Sequence, residues 1–441
     1  MFKKFLFSLF LLYSFPMVNA TGNTHEYKDS SECKLENGIS VIFMETSKSD
    51  LLMVALCVSA GSTDEIEKEG VANLLANILS QKYMSSRKEN ATQPVFESNF
   101  YTGYDQSVYY LQGKLENLDV FLKNLSELFL ESSFDPLEIA ASRNLVEQTI
   151  AGDEQIDRML IKKEARKSMY WHSKYGSSIY GAKEDLKLIN EDDIALFKKK
   201  HYTTDRVTII IAGDISKNKA LDAIKKYFGD IENTSSSLER LQEPEHHGSV
   251  VQITKYSDQV SVPVIEMYWK VPNYRNHREQ ALATEIYIKH LSDMLQKSLI
   301  DEQKNLSSIA FSYSFWNYDY GDFCMTVTAK NSDNIDEIII SVLSEIKYIA
   351  STALTKNQAD AASQKLFETS KMCGKDPLEA LDCFSRKISA GNDFEFVKKF
   401  ALNINKYSLE EVNKQAKEIF GKDPCVICVI KPQSEITGAS K

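Results

Sequence analysis

The sequence predicts an α+β fold of two homologous domains, each a mixed, mostly antiparallel sheet with helices packed on one face. Three observations predict it. At 441 residues the chain exceeds one ordinary domain, and roughly 150 residues per domain points to two large units or three smaller ones. One order of strand-like and helix-like stretches runs from residue 33 to 231 and recurs from about 249 onward. The strand-like stretches that open each unit follow one another too closely for the long crossovers a parallel sheet needs. A doubly wound parallel sheet is the alternative.

In the first unit, Gly38 to Phe43 and Leu51 to Val58 have the apolar, β-branched content of strands, Val71 to Leu79 has helical spacing, and Ser107 to Gly113 is a further strand. Helical stretches follow to about residue 200. Arg206 to Gly213 is apolar almost throughout, which predicts a strand buried on both faces, and Asp214 to Phe228 closes the unit with an amphipathic helix. The second unit repeats this order with strands at Val250 to Thr254 and Val264 to Val271, then a long helix from Glu279 to about Leu299. A strand at Asp322 to Ala329 takes the place of the Val108 strand, helices fill Asp333 to about Gly421, and Cys425 to Ile430 is the closing strand. Between the units, Asn233-Thr-Ser-Ser-Ser and Glu243-Pro-Glu-His-His-Gly248 are polar and turn-rich. The boundary falls near residue 240, giving domains of 21–240 and 241–441.

Composition excludes some classes of function. An apolar content of 43% with 26% charged residues is that of a folded globular chain, so each unit can bury a core. Fifty-two basic side chains against sixty-two acidic ones leave a net charge of -10, which offers no broad field for phosphate backbones. Nucleic acid is not an expected partner. The run Lys198-Lys199-Lys200 reads as a solvated helix face.

The first twenty residues read as a secretory signal. Lys3 and Lys4 precede an apolar run from Phe5 to Phe15, and Val18-Asn19-Ala20 supplies small residues where a signal peptidase reads. That run falls well short of the roughly 20 residues that cross a bilayer, so no transmembrane anchor is expected. Thr21 and Gly22 follow the cleavage point, so no cysteine there can take a lipid. The expected product is soluble and exported, with the periplasm as its compartment. Export permits disulfides, and an odd count of seven cysteines (Cys33, Cys57, Cys324, Cys373, Cys383, Cys425 and Cys428) leaves at least one unbridged. Cys425 and Cys428 sit in one apolar strand, where positions three apart point to opposite faces, so buried structural cysteines are expected, with a metal or redox role as the alternative.

Ser59-Ala-Gly-Ser-Thr-Asp-Glu-Ile-Glu-Lys-Glu-Gly-Val-Ala-Asn-Leu-Leu-Ala-Asn-Ile-Leu79 resembles the first active-site segment of the pitrilysin/insulinase peptidases, the family that includes mitochondrial processing peptidase. There the segment reads Ala-Gly-Ser, an acidic spacer and then Gly-x-Ala-His-x-x-Glu-His, the inverted zinc motif. Gly61, Ser62, Glu65, Gly70 and Ala72 match the frame, while the motif positions carry Asn73, Ala76 and Asn77. Histidines four apart on a helix can share one Zn²⁺, with the glutamate as base for its water. Two amides and a methyl group can do neither, so the sequence predicts no catalytic group and no cofactor, where the family has zinc.

The resemblance implies a third ligand, a glutamate on a later helix. Glu147 in Ser142-Arg-Asn-Leu-Val-Glu-Gln-Thr149 is the nearest, although the register that matches Arg143 and Val146 puts Thr149 there, and a solvated helix glutamate is the other reading of Glu147. It also implies an arginine and a tyrosine in the second domain that hold substrate. One register places Ile300 and Ser307 at those positions, and a shifted one places Lys304 and Phe311. Tyr175 to Gly181, Ile189 to Ile194, His201-Tyr202 and Val207 to Asp214 match further family segments in order. His25, His172, His201, His246, His247, His277 and His290 show no ligand spacing, and a sequon at Asn90-Ala-Thr92 matters only in a eukaryotic secretory route. The resemblance implies two domains facing each other across a cleft. Its closest form is the degenerate, non-catalytic subunit of paired bacterial members, whose partners are a zinc-bearing homologous subunit and peptides or unfolded polypeptides. A free-standing peptide-binding or chaperone-like clamp and a peptidase with a non-standard site are the alternatives.

Overall fold

A computed structural model describes residues 30–45, 51–89, 95–236, 249–302, 306–330, 334–370 and 377–434. The expected signal, the boundary near residue 240, His25, His246, His247, the sequon at residues 90–92, Lys304 and Cys373 lie outside the described residues.

The first unit opens with strands β1 (Ser31–Lys34), β2 (Ser40–Glu45) and β3 (Leu51–Val58), helix α1 (Val71–Glu89) and the hairpin of β4 (Val95–Thr102) and β5 (Ser107–Lys114). Helices α2 (Leu118–Leu130), α3 (Pro136–Glu154), α4 (Asp157–Met169), α5 (Lys183–Leu188) and α6 (Glu191–His201) follow, and β6 (Val207–Gly213) with α7 (Lys217–Phe228) ends it. The second unit runs β7 (Val251–Ser257), β8 (Val264–Val271), α8 (Arg278–Leu295) and the hairpin of β9 (Leu306–Ser314) and β10 (Gly321–Ala329). It continues through α9 (Ile335–Ser351), α10 (Lys356–Ser370), α11 (Pro377–Ser389), α12 (Phe394–Asn403) and α13 (Leu409–Gln415) to β11 (Val426–Pro432).

The repeat predicted from the sequence holds at the level of strand order. The first sheet is β1-β2-β6-β3-β5-β4 and the second β7-β11-β8-β10-β9. Each contains one parallel pair, β2 with β6 and β7 with β11, because the helices between them return the last strand alongside an opening one. All other pairings are antiparallel. Sequence reading misses β1, β4 and β9, three of the four edge strands; the fourth, β7, is read from its Val250 to Thr254 stretch. An edge strand is half solvated and so lacks the apolar run that betrays a central strand.

Packing follows the alternation along each strand. In the first sheet Val41, Phe43, Val54, Leu56, Ile209 and Ile211 face the unit's own helices and form its main core. The intervening Ile42, Met44, Met53, Ala55, Ile210 and Ala212 face the other way, against Leu381, Phe384, Phe394 and Val397 of α11 and α12 from the second unit. The second unit reciprocates: Tyr268, Cys324, Val426, Cys428 and Ile430 are covered by Ile161, Ala165 and Met169 of α4. Each unit thus packs its own helices on one sheet face, as expected, and lends helices to the back of its partner's sheet. The halves face each other through shared packing.

Two local expectations are corrected. Cys425 precedes β11 instead of lying inside it, so it joins Cys428 in one buried cluster and not on the opposite face. Lys198 is not part of a solvated face. It is buried, and its ammonium donates to the carbonyls of Leu128 at 3.1 Å, Phe129 at 2.6 Å and Glu131 at 2.5 Å, closing the C-terminal end of α2, where cations are favoured.

Candidate functional site

The segment from the end of β3 to the start of α1 is built on close backbone approach. A Cβ at Gly61 would lie 2.5 Å from the carbonyl oxygens of Gly103 and Tyr104. The next two amides, of Ser62 and Thr63, donate to those same carbonyls at 3.0 Å, so the loop is fastened to the tip of the β4–β5 hairpin. Asp64 then turns back. One carboxylate oxygen accepts from Gly61 N at 2.9 Å, and the other pairs with Arg206 at 2.8 Å, with side chains only 2% and 3% exposed. Arg206 also donates to the Ser59 carbonyl at 3.0 Å and meets His201 Nδ1 at 2.6 Å.

Glu65 closes the N-terminus of α1. Its buried carboxyl accepts from Gly70 N at 2.9 Å and Ala72 N at 2.8 Å, two of the amides that a helix start leaves unpaired. Burial pushes this carboxyl up to about 8 against the pull of those amides. Gly70 enters the helix at φ +101°, and Gly181, at φ +81°, packs against it: a Cβ at Gly181 would lie 2.5 Å from the Gly70 Cα. Both left-handed positions need glycine, and both belong to stretches singled out in the sequence.

On α1 itself Ala76 is buried in the main core and Asn73 is 7% exposed, while Asn77 is half-buried. Asn77 Nδ2 donates to the Asn73 carbonyl at 2.9 Å and to Asn73 Oδ1 at 3.1 Å. One turn further, Gln81 donates to Ser142 of α3 at 2.7 Å. Glu147 is half-buried on α3, and at about 100° per residue it falls about 140° round the helix from Ser142, whereas Thr149 falls within about 20° of it. Thr149 donates to the Leu145 carbonyl at 3.1 Å. Ile300 and Ser307 lie in the second unit, on different elements. Ile300 packs against the second core from a π-helical turn, and Ser307 Oγ on β9 donates to the Thr328 carbonyl at 3.0 Å. Phe311 stacks on Phe323 with centroids 6.0 Å apart.

The profile of the insulinase family (peptidase family M16) matches residues 40–183, and that of the peptidase M16 inactive domain matches residues 189–366. The chain belongs to the M16 peptidase family. Among its M16 relatives, a probable mitochondrial-processing peptidase subunit beta of Schizosaccharomyces pombe is 24% identical over 75% of this chain and 76% of its own. An uncharacterized zinc protease of Bacillus subtilis, YmxG, is 22% identical over 91% of this chain and 98% of its own. In fold, an M16-like peptidase from Alicyclobacillus acidocaldarius superposes with a TM-score of 0.79 at 18% identity, covering 91% of this chain and 98% of that one.

The M16 frame therefore stands in place around altered donors. Zinc takes imidazole, thiolate and carboxylate ligands, and the side chains presented here are two amides already bonded to each other and a buried methyl group. This donor set does not fit the ion. Among the described residues there is no cluster of three or more His, Cys, Asp or Glu that could hold a metal. Of the described histidines, His201 is buried beside Arg206, His172 lies tilted against Trp171, His277 stacks on Tyr320 and His290 lies near Tyr287.

Sequence reasoning missed Asp105, at the tip of the β4–β5 hairpin. Its buried carboxylate accepts from Tyr175 OH at 2.6 Å and Tyr318 N at 3.1 Å, with Thr63 Oγ1 at 3.4 Å. Tyr318 belongs to the tip of the β9–β10 hairpin, so equivalent hairpins of the two units meet at this carboxylate. Nothing local marks the residue, because the partner amide is 213 positions away.

Proposed function

We propose that this M16 chain is a non-catalytic subunit that forms one wall of a peptide-binding chamber beside a zinc-bearing homologue in the periplasm, and that it holds no zinc itself. The observation that supports this is the contrast at α1. The contacts that position the helix are all formed (the Gly61 approach, the Asp64–Arg206 pair, the Glu65 cap and the Gly70–Gly181 contact), while Asn73, Ala76 and Asn77 stand where the family's motif has its ligands and base. A shape kept without its chemistry suits binding.

A place for an extended peptide is at hand. β4 ends the first sheet, so its outer N–H and C=O groups have no strand partner among the described residues, and an added strand would pair with them. α1 runs beside it, tied by Thr102 Oγ1 to the Ala72 carbonyl at 3.2 Å and by Tyr83 against Phe100 at 5.2 Å. The Schizosaccharomyces pombe relative is by its name a subunit, which fits a role in a pair.

The test mixes the purified chain with the most similar zinc-bearing homologue of its own source organism. Association is read by size-exclusion chromatography and cleavage on unfolded peptides. The expected outcome is a stable complex that cleaves peptides neither chain cleaves alone. A homologue that is fully active by itself and does not bind this chain would leave the free-standing clamp in place of the paired subunit.

A further inference from the structure

We infer that Asn73 and Asn77 form an amide clamp that holds one residue of an extended polypeptide by its backbone, at the place where M16 relatives with an intact motif would hold a metal. This rests on the peptide-binding reading above. The orientation of both amides follows from their contacts. The Asn77 group 2.9 Å from the Asn73 main-chain oxygen must be the NH₂, since a carbonyl cannot face a carbonyl at that distance. The same NH₂ lies 3.1 Å from an Asn73 side-chain atom, which must then be the oxygen. This leaves Asn73 Nδ2, a donor, and Asn77 Oδ1, an acceptor. Neither has a partner among the described residues, and Asn73 is only 7% exposed.

Their position suits a peptide lying along β4. At about 100° per residue, Asn73 and Asn77 fall about 100° and 140° round α1 from Ala72, and Gln81 falls about 180° from it. Ala72 is the residue whose carbonyl meets β4, and Gln81 is the residue that meets α3. The amide pair therefore looks out between the open edge of β4 and α3. In an extended chain the N–H and C=O of one residue point the same way, and those of the next residue point the opposite way. A peptide paired with β4 through alternate residues presents the others outward. One of these meets the clamp, with its carbonyl accepting from Asn73 Nδ2 and its N–H donating to Asn77 Oδ1. The ligand class is an unfolded polypeptide, read through its backbone and so with little dependence on its side chains.

The experiment measures anisotropy of fluorescein-labelled, reduced and carboxymethylated α-lactalbumin, which stays unfolded, on titration with the full chain. Asn77→Leu and Asn73→Ala should each weaken binding about tenfold, since each leaves one backbone group without its partner. Leu402→Ala, at a 66% exposed position of α12, should change nothing. Unlabelled carboxymethylated α-lactalbumin should compete and poly-L-proline, which has no N–H, should not. Unchanged thermal midpoints confirm folded variants, with Asn73→Ser in place of any that melts early. Wild-type binding with both variants within about twofold of it would overturn the clamp and leave the peptide-binding reading standing. Failure of the wild type to bind the probe at all would overturn both.

Discussion

Arg206→Ala is expected to cost about 3–5 kcal/mol of stability, measured as a shift of the denaturant midpoint. The guanidinium is buried at the start of β6 and is the cation of the Asp64 ion pair, whose side chains are 3% and 2% exposed. Removing it leaves a buried carboxylate without its countercharge, and it also strips the Ser59 carbonyl and His201 Nδ1 of a donor. The cost is therefore one of a buried charge left uncompensated more than of lost attraction. The double variant Arg206→Met with Asp64→Asn should recover much of the loss, because it removes both charges and the asparagine oxygen can still accept from Gly61 N. A double variant no more stable than Arg206→Ala would show that the network does not act through this pair. Since Ser59, Gly61 and Asp64 carry the loop ahead of α1, the single variant should also loosen that loop, seen as faster amide exchange at Ser62 and Thr63.

Asp105→Ala should cost about 2–4 kcal/mol and uncouple the two units. The carboxylate is the shared acceptor for the buried Tyr175 OH and for the half-buried Tyr318 amide at the opposite hairpin tip, and alanine takes it from both donors. Tyr175 OH also accepts from Tyr318 N at 3.1 Å, so part of the junction survives. In calorimetry the wild type should unfold in one transition and the variant in two, because the shared contacts around α4, α11 and α12 then work with a weakened junction between the hairpins. An unchanged midpoint with a single transition would mean that the other contacts between the units, the apolar packing and the Arg158–Glu266 and Arg166–Asp322 pairs among them, join them without this carboxylate.

Much of this was legible in the sequence, for identifiable reasons. β6, β8, β10 and β11 are central strands, so both faces are apolar and the run is visible. β4, whose exposed edge supports the functional reading, has only one paired neighbour, and its Glu97, Ser98 and Asn99 break any apolar run. β9 alternates Ile309, Phe311 and Tyr313 with smaller or polar residues, and only the partly buried side of that alternation packs on the core, so no continuous apolar run marks it. At the site, the frame glycines and the replacement of the motif by Asn73, Ala76 and Asn77 could be read directly. The bond between the two asparagines follows from their spacing of four on a helix. The exchange of helices between the halves, the Lys198 cap and the Asp105 junction could not be read. Each depends on groups brought together from distant positions, and a lone Asp or Lys carries no mark of it.

Zinc content tests the central claim most directly. The purified chain, dialysed against metal-free buffer after incubation with excess Zn²⁺, is analysed by inductively coupled plasma mass spectrometry beside an intact-motif M16 homologue treated in the same way. The account predicts well under a tenth of a zinc per chain here, against about one in the homologue, because two bonded amides and a methyl group stand where two imidazoles and a base would be. About one zinc per chain, lost on changing Asn73, Asn77 or Glu147, would contradict it and return the chain to the metallopeptidases.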